Sequence, residues 1–341
     1  MPRTYLDYNA TAPLRPEARA AMAEAMDVVG NPSSVHAEGR AAKALVERAR
    51  RQVATAVGCQ PQEVVFTSGA TEAAQVLAHW PGPVSVQDTA HDALWVHRRD
   101  GGAGGGIHAM GLANSETGLM SDPPDTQDGA LLLDITQAVG RVPFAFSWSG
   151  AEFAILSAHK LGGPIGVGAL IVRQGCDIAA LSKGGGQEMG RRSGTENVIG
   201  IMGFGGAIEA AVRDLDAGIW TQVAQFRNIL ESSIEDSSKD TIFVGKSDYR
   251  LPNTSCFATP GWKGETQVMA MDLAGFAISA GSACSSGKVK TSRVLAAMGF
   301  DAQMASSAIR VSLGPATKED DVLRFAQAWA KQNNKHRARA A

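Results

Sequence analysis

Two residues that could carry chemistry each follow an apolar run. Lys160 comes shortly after the run at 153–156 and is followed by two glycines and a proline, while Asp134 ends the run at 130–133. Burial depresses the pKa of a lysine and frees its amine for Schiff-base chemistry. An amine at one strand end and a carboxylate at another are what pyridoxal phosphate (PLP) requires, for its aldehyde and for its ring nitrogen.

Each residue also has an ordinary interpretation when it is taken alone. Asp134 could be a turn residue after a strand, and Lys160 could be a surface lysine whose stem packs on apolar neighbours. Because both residues end a strand, the combination favours a cofactor site over two independent structural roles.

The elements that must position these residues alternate between helices and short apolar strands. This alternation predicts a mostly parallel α/β sheet that is covered on both faces. Strands are predicted at 64–66, 84–86, 107–112, 130–133, 153–156 and 169–172, and helices at 16–28, 37–57 and, as one or two helices, 198–235. From about residue 242 the pattern changes, which indicates a second unit.

Composition excludes several classes of protein. The chain has 341 residues, of which 44% are hydrophobic and 19% charged, so it can bury a large core. Its net charge of −2 gives no general attraction to nucleic acid or to an anionic membrane. Because we find neither a membrane-spanning apolar stretch nor an apolar signal core, and because the four cysteines are scattered, we expect a cytoplasmic protein.

Short motifs along nearly the whole chain carry a resemblance to a known family. They stand, in order, at residues 6–13, 30–34, 66–72, 114–118, 134–137, 157–160, 192–195, 279–284 and 309–314. By these motifs the chain resembles the class V aminotransferase family and, within it, the cysteine desulfurases of the iron–sulfur cluster assembly type.

The resemblance implies a fold and a division into domains. It implies the fold type I of PLP-dependent transferases, with a mostly parallel mixed sheet of the seven-stranded type and a small α+β domain. We expect a large PLP-binding domain at 15–240, and a small domain formed by 1–14 and 241–341. The segment between His91 and Asn114 is shorter than is usual in the family, so we expect the large domain to be trimmed there.

The resemblance also implies a set of PLP contacts. Asp134 protonates the ring nitrogen, Gln137 donates to the phenolic oxygen of the ring, and Lys160 forms the Schiff base. His91 stacks on the ring and helps to move protons, although Ala90 stands before it where the family has a glutamate. The phosphate is implied to be held by Ala70, Thr71, Ser157, His159 and, from the other subunit of a homodimer, Thr195. The alternative for 69–71 is an ordinary helix cap.

Two further sites concern the substrate and its sulfur. Cys284 lies among small residues at 281–287, where the resemblance makes it the nucleophile, whereas Cys59, Cys176 and Cys256 match no catalytic position. Arg310 lies on an apolar strand, so a carboxylate partner is implied. The resemblance assigns it the substrate α-carboxylate, with Asn114 assisting; an internal salt bridge is the alternative.

These assignments imply a PLP-dependent cysteine desulfurase. It would convert L-cysteine to L-alanine, leave a persulfide on Cys284, and pass the sulfur to an acceptor protein such as an iron–sulfur scaffold. We expect neither nucleic acid nor membrane as partners. Three alternatives stay open: a selenocysteine lyase, another class V PLP aminotransferase, and a degenerate partner that stabilises another desulfurase.

Overall fold

The fold is taken from a computed structural model, which describes residues 3–124, 129–281 and 292–340. Cys284 lies outside the described residues. The strands are β1 (Thr4–Tyr5), β2 (Val64–Thr67), β3 (Val84–Val86), β4 (Ile107–Gly111), β5 (Ala130–Asp134), β6 (Phe153–Ser157), β7 (Gly168–Val172), β8 (Ile242–Phe243), β9 (Thr254–Ala258), β10 (Phe276–Ala277), β11 (Ser279–Ala280) and β12 (Ala308–Ser312). The helices are α1 (Pro16–Met26), α2 (Ala37–Val57), α3 (Ala70–Ala73), α4 (Gln75–Ala78), α5 (Asp92–Trp95), α6 (Val198–Asp216), α7 (Ile219–Ser237), α8 (Gly264–Leu273), α9 (Arg293–Ala297), α10 (Ala302–Ser306) and α11 (Glu319–Ala340).

The chain divides into two compact units. The large unit consists of Thr11–Ala113 and Ser121–Asp216, and the small unit consists of Met1–Ala10, Asn114–Met120 and Ala217–Ala341. This division differs from the expected boundary near residue 240. Helix α7 belongs to the small unit because it packs against α11 and β9.

A six-stranded sheet forms the centre of the large unit. Its strand order is β2-β7-β6-β5-β4-β3. Strands β3 to β6 pair in parallel, whereas β7 is antiparallel to both of its neighbours. The expected mostly parallel mixed sheet is therefore confirmed, with six strands among the described residues.

Both faces of this sheet are buried, and the side chains of β6 show why. Ala154 and Leu156 join one apolar core together with residues of α1, α2 and α6. Phe153 and Ile155 join a second core on the opposite face, together with residues of α3 and α4. Successive side chains of a strand point to opposite faces, so a strand that is covered on both sides must be apolar throughout.

The shortened segment before β4 is irregular but held in place. The Trp80 indole Nε1 donates to the Gly105 carbonyl over 2.8 Å, and the Ala103 amide donates to the Pro81 carbonyl over 3.1 Å. Residues 101–106 form an exposed loop without regular secondary structure, which these two hydrogen bonds join to residues 80 and 81.

The small unit combines two sheets with flanking helices. Strands β1 and β10 pair in parallel, and β11-β12-β9-β8 form an antiparallel sheet. Trp329 of α11 is fully buried against Phe257 and Trp262. Within the described ranges, no helix is long and apolar enough to cross a membrane.

Replacing Gly168 should destabilise the large unit. A Cβ atom at this position would lie 2.5 Å from the Leu156 carbonyl oxygen and 2.7 Å from Gly69 Cα, so the backbone would have to move. We expect Gly168→Ala to lower the free energy of unfolding by about 1–3 kcal/mol in urea titrations. Gly105→Ala is the control, because a Cβ atom there meets nothing within 4 Å. Equal midpoints for the two variants would contradict this account of Gly168.

Candidate active site

The predicted cofactor residues of the large unit gather at the carboxyl ends of two neighbouring strands. Strands β5 and β6 pair in parallel, with Asp134 opposite Ile155, so both strands end at the same edge of the sheet. Asp134 is the last residue of β5, and Ser157 is the last residue of β6. Lys160 follows Ser157 on one turn of 3₁₀ helix, and its side chain is partly exposed. Ligands in open α/β sheets bind at this edge.

An arginine that was not singled out from the sequence connects these strand ends. Arg141 is buried, and its guanidinium donates to Gln137 Oε1 over 2.6 Å and to the Lys160 carbonyl over 2.8 Å. Gln137 is buried as well. Because its amide oxygen accepts from Arg141, its NH₂ group is the end that can donate to a ligand.

The predicted phosphate-binding residues Ala70 and Ser157 are in direct contact. The Ala70 amide donates to Ser157 Oγ over 2.8 Å at the start of α3, and Thr71 follows as an exposed residue. Since the Ser157 hydroxyl oxygen accepts this bond, its proton can be donated elsewhere. This hydrogen bond therefore joins the start of α3, for which an ordinary helix cap was the alternative interpretation, to the last residue of β6.

His159 lies beside these groups as a neutral ring. Burial, with a smaller effect from the Lys160 charge, lowers the pKa of His159 to about 4. Its Nδ1 lies 3.1 Å from Thr11 Oγ1. At neutral pH the imidazole therefore contributes a hydrogen bond and not a positive charge.

His91 and Thr195 occupy other parts of the large unit. His91 is the N-cap of α5, where its Nδ1 accepts from the Ala93 amide over 3.1 Å. Thr195 is exposed. Its segment is attached to α3 by an ion pair of 2.8 Å between Arg192 Nε and Glu72 Oε1.

A buried ion pair holds the glycine-rich segment that precedes Thr195. Arg50 donates to both carboxylate oxygens of Glu188 over 2.8 Å, and both side chains are buried. Glu188 and Met189 have positive φ angles of 50° and 59°, an unusual backbone conformation for residues with side chains. A cavity of about 420 Å³ beside them is lined by residues that include Lys43 and Gln187, and not by the Lys160 group.

In the small unit, Arg310 has an internal carboxylate partner. Its Nη2 donates to Asp7 Oδ1 over 2.8 Å and its Nη1 to the Ser115 carbonyl over 3.0 Å. The internal salt bridge that the sequence left open is therefore present. It fixes the orientation of a guanidinium that is only 2% exposed. Asp7 belongs to the 6–13 motif, but nothing in the sequence linked it to Arg310.

Asn114 organises the loop that contains it. Its Oδ1 accepts from the amides of Glu116 and Thr117, each over 2.9 Å. The side chain of Asn9 supports the same loop by donating to the Ser115 carbonyl over 3.1 Å. The oxygen end of Asn114 is thus held within the loop, which fixes the orientation of its side-chain amide.

Glu116 of the same loop is a buried carboxyl group that sequence reasoning missed. Burial raises its pKa to about 7, against the opposing effects of the Ser292 hydrogen bond and of the Arg310 and Arg293 charges. Its Oε1 is buried and has no hydrogen-bond partner among the residues that the structure describes. Its place in the 114–118 motif was the feature of the sequence that could have drawn attention to it.

The described cysteines are free thiols and are not activated. Burial raises the pKa of Cys59 to about 12 and raises that of Cys176 and of the fully buried Cys256. Their thiolates are therefore scarce at neutral pH, as expected for packing residues. Among the residues that the structure describes, no group of three His, Cys, Asp or Glu side chains could hold a metal ion.

The large unit presents a donor set that fits PLP. The strand ends supply a carboxylate, an amine, a hydroxyl group and a neutral imidazole, which match the ring nitrogen, the aldehyde and the phosphate of that cofactor. Thr136, between Asp134 and Gln137, has a buried Oγ1 without a partner among the described residues. A buried polar atom without a partner calls for an explanation, and a hydrogen bond to a ligand or water is one.

Comparison with known proteins identifies the family. The model of the aminotransferase class-V family matches residues 4–91 and 109–325. A cysteine desulfurase of Frankia sp. (strain EuIK1) is 37% identical, with 93% of this chain and 88% of the relative covered. The cysteine desulfurase IscS of Dictyoglomus turgidum is 33% identical, with 93% and 91% covered. A NifS-like protein from Rickettsia africae, solved by X-ray crystallography, superposes with a TM-score of 0.88 at 27% identity, over 97% of this chain and 99% of that one.

This chain belongs to the class V aminotransferase family. The proteins that it resembles include cysteine desulfurases and NifS-like proteins. The matched ranges leave out residues 92–108, which is where the sequence predicts a trimmed segment.

The raised pKa of Glu116 predicts a pH-dependent stability. Its folded-state pKa of about 7 lies above its ordinary value of 4.5, so the stabilisation due to its bound proton is complete below about pH 4.5 and is lost as the pH rises through 7. Relative to Glu116→Gln, which cannot ionise, the wild-type free energy of unfolding should fall by up to about 3 kcal/mol between pH 5 and pH 8.

Urea titrations of both proteins at several pH values check this expectation. Glu265→Gln, also in the small unit, provides the baseline for the same chemical change elsewhere. A difference between wild type and Glu116→Gln that stays constant from pH 5 to pH 8 would contradict it.

Proposed function

We propose that this protein is a PLP-dependent cysteine desulfurase, which converts L-cysteine to L-alanine and retains the sulfur as a persulfide on Cys284. The observation that supports this most directly is the common strand edge of Asp134 and Lys160, in a chain whose relatives at 33–37% identity are named cysteine desulfurases.

The cofactor residues have separate tasks in this proposal. When bound, PLP supplies an electron sink for the substrate Cα. Lys160 holds the cofactor aldehyde through its amine and, once displaced by substrate, moves the Cα proton. Asp134 is the acidic partner of the ring nitrogen, and Gln137 donates to the phenolic oxygen from a position fixed by Arg141. His91 contacts the ring and relays protons.

The groups of the large unit that we assign to the cofactor phosphate are neutral hydrogen-bond donors and carry no positive charge at neutral pH. The Thr71 amide, the Ser157 hydroxyl and the neutral His159 ring supply hydrogen bonds, and the Ala70 amide orients the Ser157 hydroxyl. The Ala70–Ser157 contact of 2.8 Å supports this grouping. Because α3 begins at this point, the Thr71 amide in its first turn is oriented to favour a phosphate oxygen.

The substrate carboxylate is assigned to Arg310 and Asn114. The Asp7 and Ser115 contacts orient the Arg310 guanidinium before substrate arrives, so less side-chain entropy is lost on binding. The fixed amide of Asn114 adds a directional donor.

Cys284 carries out the sulfur step. Its thiolate forms an S–S bond with the substrate sulfur while the C–S bond breaks, and the electron pair of that bond stays with the substrate carbon, which is then protonated to give alanine. The persulfide is passed to an acceptor protein in the cytoplasm, for which an iron–sulfur scaffold is the proposed example.

A homodimer completes the proposal, because Thr195 is assigned to the phosphate of the partner's cofactor. Thr195 is exposed in the isolated chain. Large apolar side chains of the same unit are also exposed, which is typical of a surface that is covered in an assembly: Val29, Val35, Ile165 and Met189.

Replacing Cys284 tests the chemistry. With PLP and L-cysteine, the wild-type protein should release alanine and, with a reductant, sulfide, and mass spectrometry should find one extra sulfur on the Cys284 peptide. Cys284→Ala should reduce both products to background while its bound PLP keeps its visible absorbance. Cys176→Ala is the matched control and should stay active. Extra sulfur on Cys59, Cys176 or Cys256 would show that Cys284 is not the acceptor.

Mixing two inactive variants tests the shared site. In a heterodimer of Lys160→Ala and Thr195→Ala chains, one site has both native residues and the other has neither. If Thr195 serves the partner's site, the activity of an equal mixture should rise above that of both parents, toward about a quarter of the wild-type value, because roughly half of the dimers are heterodimers and each has one native site. An active monomer, measured by light scattering at micromolar concentration, would argue against a shared site.

A further inference from the structure

The side chain of Asp7 bridges two neighbouring strands of the small unit. Its Oδ1 accepts from Arg310 Nη2 on β12, and its Oδ2 accepts from Ser279 Oγ on β11, each over 2.8 Å. Ser279 and Arg310 are paired residues of these antiparallel strands. The backbone of Asp7 also forms an isolated bridge with Ser312 of β12. The carboxylate is thus held at both of its oxygens and through its backbone.

The Asp7–Arg310 pair is shielded from solvent, so its two charges act strongly on each other. The side chain of Arg310 is 3% exposed and that of Asp7 is 15% exposed. Opposite charges attract far more strongly where water is excluded. Burial raises the pKa of the neighbouring Tyr5 to about 12, and the negative charge of Asp7 is the second cause. Tyr5 is therefore neutral and does not alter the balance between the two charges.

Glu116 is a second carboxyl group that interacts electrostatically with Arg310. Burial raises its pKa to about 7, against the opposing effects of Ser292, Arg310 and Arg293. At pH 6 most Glu116 side chains therefore carry a proton and no charge. Under that condition the carboxylate of Asp7 is the negative charge in contact with the guanidinium.

This pairing changes what Arg310 offers to a substrate carboxylate. A guanidinium binds a carboxylate strongly through charge-assisted hydrogen bonds. With Asp7 in contact, a second carboxylate at Arg310 is attracted by the guanidinium and repelled by Asp7. L-cysteine and L-alanine carry the same α-carboxylate, so this repulsion weakens the binding of both. Tighter binding that substrate and product share would not accelerate the chemical step, but it would slow the departure of L-alanine.

We propose that Asp7 sets the affinity of Arg310 for amino-acid carboxylates, by offsetting the guanidinium charge so that L-alanine binds weakly enough to leave. This inference rests on the proposed desulfurase function, which assigns the substrate carboxylate to Arg310. Asp7 acts through Arg310 and is therefore a positioning residue and not a catalytic one. It fixes the direction of the guanidinium and at the same time reduces its attraction for a further carboxylate.

Asp7→Asn removes the charge and can retain both hydrogen bonds. Its amide oxygen can accept from Arg310, and its NH₂ group can donate to the hydroxyl oxygen of Ser279. The variant leaves the buried guanidinium without its carboxylate partner, which a ligand carboxylate can then replace. A change in carboxylate affinity in this variant therefore reports the charge of Asp7 more than its shape.

Isothermal titration calorimetry with two ligands at pH 6 tests the offset. Ethylamine is L-alanine without its carboxylate, so the ratio of the two dissociation constants measures what the carboxylate contributes. We expect PLP-loaded wild type to prefer L-alanine by less than roughly 30-fold, and Asp7→Asn to raise this preference by at least about 10-fold. The gain should come from L-alanine, while the dissociation constant of ethylamine should stay within about 2-fold.

Two further variants separate the charge of Asp7 from general effects on the small unit. Glu231→Gln is the matched control, because Glu231 Oε1 accepts from Arg250 Nη1 over 2.7 Å and both side chains are at most 4% exposed. It breaks a buried ion pair of the same unit and should leave both dissociation constants unchanged. The double variant Asp7→Asn/Arg310→Gln should lose the added affinity for L-alanine.

Turnover supplies a readout that a purely structural role would not move. In Asp7→Asn the KM for L-cysteine should fall while kcat does not rise, because substrate and product share the tighter contact. Equal or weaker binding of L-alanine by Asp7→Asn, or an equal gain in Glu231→Gln, would overturn the proposal. If Asp7→Asn does not fold, the wild-type ratio decides, since a preference for L-alanine above roughly 30-fold contradicts an offset charge. If wild type forms no alanine from L-cysteine, the desulfurase proposal fails, while the two titrations still decide the role of Asp7.

Discussion

The parallel pairing of β5 with β6 is the constraint on which the candidate cofactor site depends. Because parallel neighbours end at the same edge of a sheet, this pairing brings Asp134 and the 157–160 segment to one place. The close approach of Gly168 to Gly69 then brings the start of α3 to Ser157. The residues assigned to the ring nitrogen, the aldehyde and the phosphate of the cofactor are thus brought together by the pairing of two strands and by the close approach of two glycines.

Buried ion pairs in both units hold irregular segments of the chain in place. Arg50 and Glu188 hold the strained backbone before Thr195, and Arg310 with Asp7 holds the N-terminal motif against β12. Removing one partner of such a pair leaves a desolvated charge, so these contacts keep a loop in a single arrangement more than they add net stability. Glu116 differs because burial raises its pKa, and its Oε1 has no hydrogen-bond partner among the described residues.

The shortened segment before β4 leaves this arrangement intact. The family model omits residues 92–108, yet β3 and β4 still pair in parallel on either side of it. Gly102 packs so closely against residues 81 and 82 that a Cβ atom there would lie 2.6 Å from the Pro81 carbonyl oxygen, so a residue with a side chain would force the backbone to move. The segment between β3 and β4 thus joins the last two strands of the sheet, whereas Asp134 ends β5 and Lys160 follows β6.

The sequence alone determined what depends on neighbours along the chain. Apolar runs located the strands that end near Asp134 and Lys160, and the helix predicted at 37–57 has the same ends as α2. It also indicated a carboxylate partner for Arg310, but not which one. Only the tertiary structure decided that this partner is Asp7, 303 residues away, that Arg141 joins Gln137 to Lys160, and that Glu116 meets Ser292 across 176 residues. Periodicity and turn chemistry describe one element at a time, whereas these contacts are set by the register and packing of elements against one another.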